Sequence, residues 1–121
     1  MKEGRDPEPY LPLTPAMFHV LLSLADGEKH GYGILKEVSS RTEGKVELST
    51  GTLYGIIKRL VNEGMIEMSE TRPSPDEDDE RRRYYRLTPF GLQVAMAEAE
   101  RMEEIISVAR AKNLLGRLET A

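Results

Sequence analysis

Residues 49–64 read STGTLYGIIKRLVNEG, and within them Leu53, Ile56, Ile57 and Leu60 fall at i, i+3, i+4 and i+7. That spacing predicts a helix with one buried stripe. Away from the stripe, Gly51, Tyr54, Gly55 and Lys58 follow at near-helical spacing with Arg59 beside them. They give a face with a small-residue gap, an aromatic hydroxyl and cations, which can enter a groove. Ser49 is placed to N-cap, so Thr50, Gly51 and Thr52 bring hydroxyls and unpaired backbone N–H groups to the positive helix end. An anion binds readily at such an end. The same residues also make an ordinary amphipathic helix with a normal cap, and this segment alone does not choose between the two.

Outward from this helix, composition sets bounds. The 121 residues suffice for one domain with a modest core and a helical extension. With two Phe, five Tyr and no Trp, that core must be built from Leu, Ile, Val and Met. The absence of cysteine excludes disulfides and thiolate metal sites. No apolar run is long enough to span a membrane, and the opening MKEGRDPEPY lacks a signal-peptide core, so a cytoplasmic location is expected. The net charge of −4 at first disfavours a nucleic-acid partner. Five acids, however, stand together from Asp76 to Glu80, and without them the balance is +1, with Arg81, Arg82 and Arg83 clustered and Arg86 close behind.

Before the central helix, residues 1–12 carry charges of both signs and prolines with almost no apolar pattern, which predicts a mobile arm. Order is expected from Leu13-Thr14-Pro15, threonine as N-cap and proline at the first helical position. Met17, Val20, Leu21 and Leu24 mark the buried face of this first helix, while Phe18 and Leu22 lie off it and call for a second packing partner. A turn over Asp26 to Lys29 precedes His30-Gly31-Tyr32-Gly33, which leads into a second helix through Ile34, Leu35 and Val38. Glycine at a helix start costs up to about 1 kcal/mol relative to alanine, so Gly31 and Gly33 should permit close approach of another helix or of a phosphate backbone. Val46 and Leu48 alternate with charged residues in a short extended piece.

After Gly64 the apolar period changes from 3.6 to 2. Ile66 and Met68, then a turn over Arg72 to Glu80, then Arg81 to Leu87 with Tyr85 and Leu87 facing the core and Tyr84 the surface, predict a long-tipped hairpin. Three helices followed by a hairpin form a winged helix-turn-helix arrangement, in which the third helix reads DNA and the wing touches adjoining backbone. Arg81, Arg82 and Arg83 are either counter-charges for the acids across the tip or phosphate contacts, and their place in a wing favours the second. Leu87-Thr88-Pro89 repeats the earlier helix start. From there Leu92, Ala95, Ala99, Met102, Ile106 and Ala109 are spaced 3, 4, 3, 4, 3, a coiled-coil seam that Met96 and Ile105 widen. A second copy of the chain is the expected cover; folding back on its own domain is the alternative. Phe18, Leu22 and Met96 then border an apolar space suited to a flat apolar effector, unless the dimer packs there without a cavity.

His19 and His30 lie far from any other ligand at helical spacing and read as surface or packing groups. Neither a nucleophile elbow nor a phosphate loop is present, so no enzyme and no cofactor is expected.

These residues resemble the PadR-type transcriptional regulators. The matching pieces are His30-Gly31-Tyr32-Gly33-Ile34, then Gly51-Thr52-Leu53-Tyr54 with Arg59-Leu60 and Glu63-Gly64-Met65-Ile66, then Arg83-Tyr84-Tyr85-Arg86-Leu87-Thr88 with Gly91. Together they run from residue 30 to residue 91, about half of the chain. The resemblance implies a bacterial or archaeal repressor that binds a roughly palindromic operator as a homodimer through one C-terminal helix per subunit, and that a small effector releases. It is the short-tailed subgroup that is similar, since about 33 residues follow Thr88. Thr50 and Gly55 stand where many members have proline, and no tryptophan is present for stacking on planar drugs.

The sequence thus predicts a mainly α fold with a small β wing: an arm at 1–12, a winged helix-turn-helix domain at 13–88, a dimerisation helix at 89–115 and a tail at 116–121. Tyr32, Ser49, Thr50, Gly51, Thr52, Tyr54, Lys58, Arg59, Arg81, Arg82 and Arg83 are the expected DNA-binding residues. Leu92, Ala95, Ala99, Met102, Ile106 and Ala109 are the expected dimer contacts, and Phe18, Leu22 and Met96 the expected effector contacts. The competing class is a winged-helix protein-interaction module without operator binding, which the acidic net charge suits.

Overall fold

The computed structural model describes residues 5–69 and 83–115. Its elements are a 3-10 turn at Glu8–Tyr10, α1 at Pro15–Ser23, β1 at Lys29–His30, α2 at Gly31–Arg41, α3 at Thr50–Asn62, β2 at Ile66–Met68, β3 at Tyr84–Leu87 and α4 at Pro89–Ala111. Each of α1 to α4 starts where a side chain accepts one of the orphan first-turn N–H groups. Thr14 accepts from Met17, Ser49 from Thr52 and Thr88 from Gly91, at 3.1, 3.0 and 2.9 Å. His30 serves α2 in the same way, its Nδ1 accepting the Gly33 N–H at 3.0 Å. That capping bond, with the edge of the ring set against Tyr84, accounts for His30 as a structural histidine.

The stripes expected from spacing converge on one core. Val20 and Leu21 of α1, Ile34 and Val38 of α2, Leu53, Ile57 and Leu60 of α3, then Met65, Ile66 and Tyr85 are all buried in it. The sheet is antiparallel in the order β1-β3-β2, with Ile66 opposite Leu87 and Met68 opposite Tyr85. The outer strand β1 replaces the end of the expected turn: Lys29 and His30 pair with Tyr85 and Tyr84. Val46 and Leu48 form no strand and lie half-buried against the core.

The end of α3 is built with unusual completeness. Gly64, at φ +80°, takes the left-handed position after the helix that a side chain resists. The Met65 and Gly64 N–H groups return to the carbonyls of Leu60 and Val61 at 2.9 and 3.0 Å. The Thr88 hydroxyl donates to the Gly64 carbonyl at 2.5 Å and the Thr88 N–H to the Met65 carbonyl at 3.0 Å, joining the end of α3 to the start of α4. Gly91 lies so close to the Met65 carbonyl that any side chain there would collide with it.

Two features of the structure add to the sequence reading. Residues 5–12, expected as a mobile arm, have contacts in the structure from Arg5 onward: Tyr10 packs edge-on against Phe90, and Arg5 lies over the same ring. The seam of α4 also has two environments. Gly91, Val94, Ala95 and Glu98 are buried against the chain's own domain, so Ala95 belongs to the intramolecular core, whereas Ile105, Ile106 and Val108 are exposed. Glu98, fully buried, accepts two bonds from Arg101 at 2.7 and 3.0 Å and one from the Leu13 N–H at 3.1 Å. A hydrogen-bonded ion pair is what allows a carboxylate to sit there.

Candidate nucleic-acid interface

The buried stripe of α3 fixes what its other side can present. With Leu53, Ile57 and Leu60 turned inward, Ser49, Thr50, Gly51, Thr52, Gly55, Lys58 and Arg59 are all exposed. Side chains added at Gly51 or Gly55 would meet nothing within 4 Å, so neither glycine is demanded by packing within the chain. Both leave the helix backbone open to an incoming surface. At the N-terminus, Ser49 accepts from the Thr52 N–H and donates to the Thr52 hydroxyl, each at 3.0 Å, which ties the first turn to its cap.

Tyr54 stands apart from these neighbours. Its ring is half-buried, and its hydroxyl lies where a side chain at Gly31 would go. The reason for Gly31 is therefore close packing of α2 on α3, one of the two alternatives raised by the sequence. Gly33 has only ordinary contacts around it. Tyr32, beside Gly31, is 60% exposed, and the Lys36 ammonium lies 5.7 Å from its ring centre. Lys36 was not singled out in the sequence; it lies one turn after Tyr32 on α2.

Lys58 and Arg59 differ in setting. Arg59 lines a hollow of about 420 Å³ beneath the N-terminal segment, with Tyr10, Met17 and Glu63 among its other walls, whereas Lys58 does not line it. In the wing, Arg83 is exposed at the entry to β3, and Arg86 is paired across the hairpin with Glu67 at 2.9 Å. The acids Asp76 to Glu80 and the cations Arg81 and Arg82 lie outside the described residues.

Behind α2, a polar network ties α1 to the sheet. Arg41 approaches His19 Nδ1 at 2.9 Å and donates to the buried Ser23 hydroxyl at 3.1 Å; Lys29 donates to the Ser23 carbonyl and to Asp26, each at 2.7 Å. Burial, with the Arg41 charge added, lowers the His19 pKa. Of the expected effector residues, Phe18 is half-buried against the core, while Leu22 and Met96 are exposed. Among the described residues no three metal-ligating side chains gather, and no helix is long and apolar enough to cross a membrane.

Comparisons with known proteins bear on this arrangement. The family model described as the transcriptional regulator PadR-like family matches residues 20–97. A Lysinibacillus sphaericus protein described as uncharacterized protein X is 30% identical over 92 residues, covering 74% of this chain and 82% of that one. A transcriptional regulator from Clostridium thermocellum has a similar structure, with a TM-score of 0.64 and 26% identity over 86% of this chain and 90% of that chain. Bacillus subtilis PadR, solved in complex with operator DNA, shares the fold at a TM-score of 0.61 and 23% identity, over 71% of this chain and 46% of that chain.

Proposed function

The chain belongs to the PadR-like family of transcriptional regulators, and on that premise we propose that it is a repressor that binds a palindromic operator as a homodimer. The observation that carries this reading is the exposed side of α3. Hydroxyls at Ser49, Thr50 and Thr52, open backbone at Gly51 and Gly55 and the Lys58 cation form a narrow polar ridge. Such a ridge enters a major groove with its N-terminal residues toward the bases. Tyr32, Arg59 and the wing cations Arg81, Arg82 and Arg83 then contact backbone phosphates, which position the protein without specifying sequence. Tyr54 contributes by seating α3 on α2.

The second copy is held through α4. Leu92, Ala99, Met102, Ile106 and Ala109 form the seam, with Met96 and Ile105 at its sides. The exposure of Met96 and Ile105, 55% each, supports this, because nothing among the described residues covers them. A flat apolar or aromatic effector, lodged near Phe18, Leu22 and Met96 at the dimer junction, changes the angle between subunits. Two recognition helices must sit about 34–36 Å apart on DNA, so such a change releases the operator.

A mobility-shift titration against the DNA upstream of its own gene tests the reading. Binding to one palindromic segment that weakens steeply with salt is expected. Equal, weak binding to all duplexes would instead mark a winged-helix module whose partner is a protein.

A further inference from the structure

The last carbonyls of a helix need partners, and those at the end of α3 have an unusual donor among theirs. Leu60, Val61, Gly64 and Met65 are served by backbone N–H groups and by Thr88. The Glu63 carbonyl accepts instead from Arg5, whose Nη1 lies 2.8 Å away after a chain separation of 58 residues. The guanidinium carbon of Arg5 sits 4.0 Å from the centre of the Phe90 ring, in the first turn of α4, and 5.3 Å from that of Tyr10, whose hydroxyl accepts from Nη2. Cation–π contact, a hydrogen bond and the negative end of the α3 dipole all favour a guanidinium at this spot.

The rest of the N-terminal segment does not lie flush on α3. The hollow lined by Pro9, Leu11, Arg59 and Glu63 separates them. Further along, the segment is held by Leu13, whose N–H donates to buried Glu98 of α4. Contacts with Phe90 and Glu98 of α4 thus bracket a span whose polar grip on α3, among the described residues, is the bond from Arg5 to Glu63.

We propose that Arg5 is a positioning residue for operator binding, fixing the C-terminal end of α3 against the start of α4 and so setting the angle at which α3 is presented to DNA. This rests on the reading that α3 enters the groove. The test uses the full chain with Arg5→Ala and Arg5→Lys, measuring operator affinity, affinity for a scrambled duplex, the salt dependence of each, and amide exchange at Gly64 and Met65. Arg5→Ala is expected to lower operator affinity about tenfold, leave the scrambled duplex within about twofold, keep the salt slope, and speed exchange at both amides. Arg5→Lys, which donates a bond but lacks the flat stacking face, restores part of the loss.

A salt slope reduced by about 1 in Arg5→Ala would overturn the proposal, because Arg5 would then be touching a phosphate itself. Unchanged operator affinity, or unchanged exchange, would also overturn it. If the unaltered chain binds no operator while Arg5→Ala still speeds exchange, the groove reading fails and the tie between the helices stands.

Discussion

Helices α3 and α4 bury one side each in the same core and leave it with opposite chemistry. The free side of α3 carries Thr50, Thr52 and Lys58 around two glycines, whereas the free side of α4 beyond Glu98 carries Ile105, Ile106 and Val108. Periodicity says that both are amphipathic. What each helix meets next depends on the residues left outside: polar groups and open backbone suit a hydrated phosphate surface, and aliphatic side chains suit another helix.

The strongest way to break this contrast is to put a charge into the α4 seam. Ile106→Glu, or the same change at Met102, buries an unpaired carboxylate if two copies meet there, at a cost of roughly 3–5 kcal/mol. Sedimentation is expected to show a monomer with an intact fold, and operator binding should fall by about a hundredfold as two linked contacts become one. A variant that remains a dimer would show that the seam has been assigned to the wrong partner.

Next in size is a pair of glycine substitutions. Gly31→Ala drives a methyl group into Tyr54 and is expected to destabilise the domain by about 1–3 kcal/mol. Gly55→Ala, in open space within a helix, is expected to stabilise it by about 0.5–1 kcal/mol. Thermal melts measure both. If the groove reading holds, Gly55→Ala also weakens operator binding while raising the melting temperature, a combination that packing alone does not produce.

Smaller effects sharpen the division of labour on the DNA side. Arg83→Ala is expected to weaken binding to all duplexes alike and to lower the salt slope by about 1, while Lys58→Ala also alters which operators are preferred. Identical losses on every sequence for both variants would remove base reading from α3.

Acid stability probes the joint between core and seam. The Glu98 pKa lies below its usual value, chiefly because Arg101 donates to the carboxylate, with the Leu13 N–H adding to this against desolvation. Its stabilising contribution is complete above the ordinary value of about 4.5 and is lost as pH falls through the lowered one. Glu98→Gln should therefore be less stable than the unaltered chain at neutral pH and lose less on acidification, as melting curves taken from pH 7 to 3 would show.

The local parts of this structure were legible in the chain. Thr14, Ser49 and Thr88 cap helices because the accepted N–H groups lie three residues away, and the stripes through Leu21, Leu53 and Leu60 follow from helical period alone. What escaped depends on distant partners. Strand β1 is two polar residues, Lys29 and His30, with no alternation to mark them, and it exists because β3 offers an edge. The contacts of Arg5 are with Phe90 and Glu63, far along the chain. Ala95 obeys the 3-4 spacing as well as its neighbours do, but that spacing cannot say where the helix leaves its own domain. On α3, Tyr54 was expected on the groove face, and the close approach at Gly31 holds it against α2.

Groove entry by α3 and pairing through α4 are tested together by a salt series of equilibrium binding to the upstream DNA, with Lys58→Ala and Ile106→Glu measured beside the unaltered chain. Two chains per operator, a steep fall in affinity with salt, altered sequence preference for Lys58→Ala and single-chain, weakened binding for Ile106→Glu are expected. Binding that ignores salt and treats operator and scrambled DNA alike, with both variants indistinguishable from the unaltered chain, would contradict both.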